Sequence, residues 1–139
     1  MKELICLIVG VCGSTVATLF GGWSEGMTVL LIFMVVDYIS GLMVAGVFKK
    51  STKTDSGALE SRAGFKGLLR KAMMIAIVIV FNGIDVLTPG NLHIARDGAV
   101  IALCCNELIS LIENAGLMGI KLPKFITNTI DIFIKKNDK

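Results

Sequence analysis

The feature that most constrains this chain is its long stretches of apolar sequence. Met27 to Phe48 runs for 22 residues without a lysine or arginine. As an α-helix this run would be about 33 Å long, enough to cross the roughly 30 Å hydrocarbon core of a bilayer. Three more apolar runs lie near residues 4–23, 60–87 and 95–118. The sequence therefore predicts an all-α integral membrane protein with about four hydrophobic helices.

Composition supports this class and argues against several functions. Of the 139 residues, 54% are hydrophobic and only 18% are charged, which is too apolar for an ordinary soluble domain; we expect one membrane domain over residues 1–139. A net charge of +3 with few aromatic residues gives no nucleic-acid surface. The lone His93 is expected in a solvent-facing loop. No cofactor or metal site is expected, because the cysteines lie in apolar runs without metal-ligand spacing: Cys6, Cys12, Cys104 and Cys105.

The distribution of basic residues predicts the orientation. Seven of the fourteen Lys and Arg residues fall between Lys49 and Lys71, and such a cluster is expected on the cytoplasmic side. Four crossings then place both termini inside, with only Arg96 outside. A three-crossing arrangement keeps the cluster inside as well. A cleaved signal peptide at the start is disfavoured, because Glu3 offsets the charge of Lys2.

The polar linker after the second run is expected to end in a basic cytoplasmic juxtamembrane helix. Three of its basic residues recur every four positions, which places them on one helical face that can rest on anionic headgroups. A solvated linker that only sets topology is the alternative. The residues assigned to headgroup contact or topology are Lys49, Lys50, Arg62, Lys66, Arg70 and Lys71. The tail, residues 122–136, is expected to form a short interfacial helix.

Polar residues also interrupt the apolar runs. A carboxylate such as Asp37 costs roughly 2.5–3.5 kcal/mol at the bilayer centre unless it is paired, protonated or hydrated. Gly41 and Ala45 share its helical face and form a groove for another helix, so pore lining and interhelix hydrogen bonding both remain open. Asn82 and Asp85 share a face of the third run, where Asp85 is expected at the membrane interface, with a position in a pore as the alternative.

The fourth run carries a narrow polar stripe. At 100° per residue, five polar side chains fall within an arc of about 120° on an otherwise apolar helix. They are Asn106, Glu107, Ser110, Glu113 and Asn114. A lone helix of this kind would insert poorly. The stripe is therefore expected to face another helix or water, as a seam or pore lining, with Arg96 or asparagine amides as partners for its carboxylates.

Three stretches together resemble the toxin secretion/phage lysis holins, small membrane proteins of phages and prophages of Gram-positive bacteria. They are DYISGLMVA (Asp37 to Ala45), SRAGFKGLLRKAMM (Ser61 to Met74) and NELISLIENAGLMGIKLP (Asn106 to Pro123). They match the family's D-Y-x-[ST]-G, G-x-x-G-L-x-x-K and N-E-x-x-S-x-x-E-N patterns in order and spacing, over about two-thirds of the chain. Leu108 departs from an expected glycine, and Cys104 and Cys105 from expected aromatic or aliphatic residues.

The resemblance implies a protein of the bacterial cytoplasmic membrane that accumulates, self-associates and opens a large lesion. Endolysin or a toxin would leave the cell through it, and the family carries no catalytic residues. A small selective channel or transporter subunit, or an antiholin that blocks such a lesion, remains an alternative. A membrane enzyme is disfavoured because no Ser/His, Cys/His or metal constellation is present.

Overall fold

The computed structural model describes residues 1–90 and 92–128, and within these ranges the protein is all-helical, with no strand. The helices are α1 (Lys2–Leu19), α2 (Glu25–Met43), α3 (Ser61–Leu87) and α4 (Ile94–Leu117). With the π-helical segment that extends α2, all four are long and apolar enough to cross a membrane. The all-α membrane fold predicted from the sequence is thereby confirmed, and the protein is a multi-pass membrane protein.

The start of α2 is fixed by local side-chain contacts. Ser24 Oγ accepts a hydrogen bond from the Met27 N–H at 3.3 Å, which satisfies one of the free donors of the first helical turn. Trp23 donates from Nε1 to Thr28 Oγ1 at 2.9 Å, and its ring packs edge-on against Phe20. Tryptophan with one polar and one apolar end is typical of a membrane interface.

The end of α2 changes geometry before the linker begins. Residues Val44–Phe48 form a π-helical segment, and Lys49 then turns the chain with a φ of 52°. The linker folds back here, because the Ser51 N–H donates to the Gly57 carbonyl at 3.0 Å. A Cβ on Gly57 would lie 2.6 Å from the Lys49 carbonyl oxygen, and its φ is +69°. Only glycine suits this position.

The chain divides into two compact units, and the first comprises residues 1–32 and 69–104. Its apolar core is built from Met27 and Leu30 on α2, Met74 and Val78 on α3, and Ala99 and Val100 on α4. The inward face of α3 continues this core in polar residues, Asn82 and Asp85. In contrast, α1 contributes no buried residue.

The second unit comprises residues 33–68 and 105 onward. Its buried apolar residues are Met34, Val44 and Ala45. Its buried polar residues are Asp37, Ser40, Glu107 and Asn114. Residues 124–128 are helical, whereas 122 and 123, where the tail helix was expected to start, are not; residues 129–136 of that expected helix lie outside the described residues. That residues 1–139 act as one domain stays a prediction.

Candidate functional site

A buried hydrogen-bonded group, the Asp37 cluster, links α2 to α4 in the second unit; it consists of Asp37, Ser40 and Asn114. Asn114 donates from Nδ2 to Asp37 Oδ1 at 3.1 Å and to Ser40 Oγ at 2.9 Å. The Ser40 hydroxyl donates in turn to the Asp37 carbonyl at 2.9 Å. Asp37 is 6% exposed and Asn114 is 5% exposed. The structure thus brings Asp37 into an interhelix hydrogen bond, one of the two uses left open by the sequence.

Small residues lie beside the Asp37 cluster. A Cβ on Gly41 would lie at ordinary contact distance, 3.8 Å, from Asn114 Nδ2, so the amide lies directly over this position. Ala45, one turn further along the same face, is buried. The side chain that lies against this face at Gly41 is thus Asn114 of α4; the groove itself stays a prediction.

Tyr38, next to Asp37, packs on the start of α3. Cβ atoms built on Gly64 and Gly67 would lie 3.7 Å from the Tyr38 hydroxyl and ring, respectively. The two glycines give the tyrosine a flat surface at ordinary contact distance. Sequence reasoning assigned no role to Tyr38 or Ser40, although Ser40 lies three residues from Asp37 and so on the same helical face.

A second polar group, the α1 clamp, lies in the first unit and consists of Asn82, Asp85 and Arg96. Asn82 donates from Nδ2 to the Leu19 carbonyl at 3.0 Å. Arg96 donates from Nη1 to the carbonyls of residues 20, 21 and 22 at 3.0–3.3 Å. These acceptors are carbonyls at the C-terminal end of α1, where cations and donors are favourable. The clamp therefore holds α1 by its end.

Asp85 completes the clamp as a helix cap. Its two carboxylate oxygens accept hydrogen bonds from the Ala95 and Arg96 N–H groups at 2.9 and 2.7 Å, both in the first turn of α4. An acid at this end of a helix satisfies free donors and complements the helix dipole. Asp85 is buried, so its observed role is to fasten the start of α4 to the end of α3.

Arg96 is the residue that sequence reasoning misjudged. Its guanidinium is 6% exposed and forms a 2.9 Å ion pair with Asp97, in addition to the carbonyl contacts of the clamp. It is committed to the first unit and does not serve as a counter-ion for the stripe carboxylates. The only sequence signal was its isolation, as the single basic residue between Lys71 and Lys121.

His93 also differs from its expectation as a solvent-facing loop residue. It is half-buried, with a φ of 50°, and its ring lies against Gly21. A Cβ on Gly21 would lie 2.9 Å from His93 Cε1 and would collide with Asn82 Oδ1. The loop is folded onto the end of α1, which removes the imidazole from free solvent.

The predicted polar stripe divides into two halves. Glu107 is 3% exposed and Asn114 is buried with it, whereas Asn106 and Glu113 are exposed and Ser110 is intermediate. On a helical wheel the order runs Glu113, Asn106, Ser110, Asn114, Glu107. One edge therefore faces the subunit's own interior. We call Asn106 and Glu113 the exposed edge of the stripe.

The basic residues of the linker and α3 also divide. Five of the six assigned to headgroup contact are exposed, namely Lys49, Lys50, Arg62, Lys66 and Arg70. Lys71 is buried on the inward face of α3. The one-residue step from Arg70 rotates the side chain by about 100°, which accounts for the difference.

Among the described residues, no group of three or more His, Cys, Asp or Glu side chains could hold a metal ion. Asp37 and Asn114 are instead hydrogen-bonded between α2 and α4, and Asp85 joins the end of α3 to the start of α4. Comparison with known proteins identifies the family to which the chain belongs. The model of the bacteriophage holin family matches residues 14–135. The chain is a member of the bacteriophage holin family.

Several relatives support the membership. An uncharacterised protein of Listeria innocua is 36% identical over 135 residues, which cover 96% of this chain and 90% of that protein. The probable holin of Bacillus phage phi105 is 29% identical over 113 residues, 81% of this chain and 77% of that protein. An uncharacterised 14.9 kDa protein from the nagH 3′ region of Clostridium perfringens is 27% identical over 112 residues, 81% of this chain and 79% of that protein. No solved structure matches the chain.

These contacts give the three holin-like sequence stretches a structural role. In this holin, the first stretch supplies Asp37, Ser40 and Gly41, and the last supplies Asn114, which bonds to the first two. The middle stretch supplies the glycines under Tyr38. Holins are in general non-enzymatic membrane proteins, and here the motif residues hold helices together.

Proposed function

We propose that this holin accumulates in the bacterial cytoplasmic membrane and, above a threshold concentration, assembles into a large non-selective lesion. A cytoplasmic endolysin, or a toxin, leaves the cell through it. The observation that carries this proposal is the division of the α4 stripe. Glu107 and Asn114 are enclosed within the subunit, while Asn106 and Glu113 are exposed on a helix long enough to cross the membrane.

The exposed edge gives a physical reason for association. Asn106 lies near the middle of α4, about 18 Å from its start, at a depth where lipid offers no hydrogen-bond partner. Glu113 lies one turn from the end of the helix. A carboxylate within the hydrocarbon region costs up to roughly 2.5–3.5 kcal/mol. Contact with another copy, or with water, relieves both costs.

Mass action then supplies the threshold. Association of a subunit rises with its concentration in the membrane, so copies remain dispersed while they are few. On the buried half of the stripe, Asn114 keeps its hydrogen bonds to Asp37 and Ser40 inside the subunit, whether copies are dispersed or assembled. In the lesion, Asn106 and Ser110 line a hydrated lumen that needs no selectivity filter.

The proposed orientation places both termini in the cytoplasm. The exposed Arg62, Lys66 and Arg70 then rest on anionic headgroups of the inner leaflet, where each contributes about 1 kcal/mol. Arg96 is the one basic residue on the other side, and its burial in the α1 clamp explains why it does not oppose this orientation. Arg96 binds carbonyls at the end of α1 and is not a solvated loop charge.

The test is expression of the chain in a bacterial host, with and without a cytoplasmic endolysin that lacks an export signal. The proposal predicts culture lysis and release of folded enzyme only when both proteins are present. Loss of ion gradients without enzyme release would identify a selective channel. Absence of any effect alone, together with delayed lysis by another holin, would identify an antiholin. Either of the last two results would overturn the proposal.

A further inference from the structure

Helix α1 is attached to its own subunit in an unusual way. Residues 2–16 are all exposed, and the α1 clamp binds only backbone carbonyls of residues 19–22. Cβ atoms built on Gly10 and Gly13 would meet nothing within 4 Å. The exposure of an apolar helix to lipid does not by itself require a protein partner, because lipid tails are equally apolar. Any partner of α1 therefore has to be inferred from polar groups.

The exposed edge of α4 continues along a regular line of side chains. Ala102, Asn106, Ile109 and Glu113 are spaced by four, three and four residues, which places them within about 60° of one another on the helix. All are exposed except Ile109, which is half-buried. Among the described residues, neither Asn106 nor Glu113 has a hydrogen-bond or ion-pair partner.

A line on α1 has the same spacing. Lys2, Cys6, Val9 and Gly13 are also separated by four, three and four residues, and all are exposed. Four-three spacing is the repeat by which two helices pack side by side over several turns. In four crossings, α1 and α4 run in opposite directions. Aligning the lines antiparallel gives the pairs Lys2 with Glu113, Cys6 with Ile109, Val9 with Asn106, and Gly13 with Ala102.

This alignment is favourable at each end. Lys2 meets Glu113, so opposite charges lie together near one membrane boundary. Gly13 meets Ala102, which permits close approach of the backbones near the other. The two charged residues lie at similar depths in the membrane. By helical rise, Lys2 is about 25 Å from the end of α1, and Glu113 is about 28 Å from the start of α4. Those two helix ends are joined within the first unit through Arg96.

We propose that α1 of one copy packs antiparallel on the exposed edge of α4 of a second copy, with Lys2 against Glu113. The occupant is a second copy because both lines are exposed in the same chain and their charges are complementary. The inference rests on the proposed function and names the partner of Glu113 on the exposed edge; Asn106, opposite Val9, is left to the hydrated lumen.

Assembly of this kind is head-to-tail. Each copy offers two different surfaces, so a dimer still has one free α1 and one free α4 edge. Such interfaces extend into rings or open arrays rather than stopping at a pair. A lesion large enough for a folded enzyme requires this property, since a symmetric contact between identical faces closes after two copies.

Disulfide cross-linking of the full chain in bacterial membranes tests the pairing. In a background with all four native cysteines replaced by Ala, one tagged copy regains Cys6 and a differently tagged copy carries Ile109→Cys. Oxidation should join the two copies at least about fivefold more than Cys6 with Leu108→Cys, since a disulfide needs the two Cα atoms within about 4.4–6.8 Å. Leu108 is a matched control, because it is exposed at the same depth but points off the line. A chain with both Cys6 and Ile109→Cys should give a ladder of dimers, trimers and larger species.

Several results would overturn the pairing. Dimers from Cys6 alone would indicate contact between two α1 helices, and dimers from Ile109→Cys alone contact between two α4 helices. Equal yields with Leu108→Cys would indicate random collision. Lys2→Glu and Glu113→Lys should each lower the yield of cross-linked dimer several-fold, and the double variant should restore it. If the double variant does not restore the yield, Lys2 and Glu113 do not form an ion pair.

The same variants keep this inference separate from the proposed function. If the cysteine variants release endolysin normally but show no Cys6 to Ile109→Cys cross-link, the head-to-tail contact is wrong and the lesion stands. If the ladder forms but endolysin is retained in cells, the contact is supported and the lesion is wrong.

Discussion

Asn114 donates a hydrogen bond to the Asp37 carboxylate at 3.1 Å, which joins residues 77 positions apart in the chain. The pair connects the first and last of the three holin-like stretches. Both side chains are buried. In this contact the Asp37 carboxylate accepts a hydrogen bond from Asn114, and the Asn114 amide has an acceptor for one of its N–H groups. The contact also explains why a holin helix tolerates an acid within an apolar run.

Replacing Asn114 by Ala should destabilise the second unit. The change removes the donor that Asp37 and Ser40 share, and loss of a partner from a buried hydrogen bond costs about 1–3 kcal/mol. Thermal unfolding in detergent micelles measures the effect. Ser110→Ala is the matched control, because Ser110 is on the same helix and only half-buried. Equal stability of the two variants would contradict the role given to the Asp37 cluster.

Gly21→Ala should be more damaging than Gly22→Ala. Both glycines have positive φ, +67° and +89°, so both substitutions incur the left-handed penalty of roughly 1–2 kcal/mol. Only at Gly21 would the new methyl also strike Asn82 and His93, whereas Gly22 has nothing within 4 Å. The comparison of unfolding temperatures isolates the tight contact. If the two variants unfold at the same temperature, the end of α1 is not packed as described.

Arg96→Gln should release the end of α1. The neutral side chain loses the ion pair to Asp97 and most of the hydrogen bonds to residues 20–22, so this turn opens more often. Hydrogen exchange of the backbone N–H groups at the end of α1 should accelerate by about tenfold or more, given that hydrogen bonds to a charged group contribute about 1.5–3 kcal/mol. Arg62→Gln, at an exposed position, should leave those rates unchanged; equal acceleration by both changes would argue against the clamp.

Neutralising Arg62, Lys66 and Arg70 together, each by Gln, should loosen the start of α3 from anionic membranes. The expected loss is about 1 kcal/mol per residue and diminishes at high salt. Protease accessibility of the linker in membranes with and without anionic lipid measures it. An unchanged accessibility map in the triple variant would show that the linker is only a spacer between α2 and α3.

The four helices could be predicted from the sequence because their apolar runs match the bilayer thickness, and only bilayer physics is needed for that step. The arc of the stripe could also be predicted, since periodicity fixes the angles between side chains. The buried edge of the stripe could not be predicted. The angle between Asn106 and Glu107 follows from local helix geometry, but the direction of the neighbouring helices depends on tertiary packing. The same limit applies to Asp85, whose partners Ala95 and Arg96 lie beyond a turn.

The central claim is that the exposed edge of α4 drives assembly into a lesion that passes folded protein. The most direct measurement is release of a cytoplasmic endolysin from cells that express an Asn106→Leu/Glu113→Leu double variant at the wild-type level. The replacements are similar in size and suited to lipid, so each subunit should still insert and fold. The account predicts that this variant retains the endolysin within the cell. Release at the same time and to the same extent as in the wild type would contradict it.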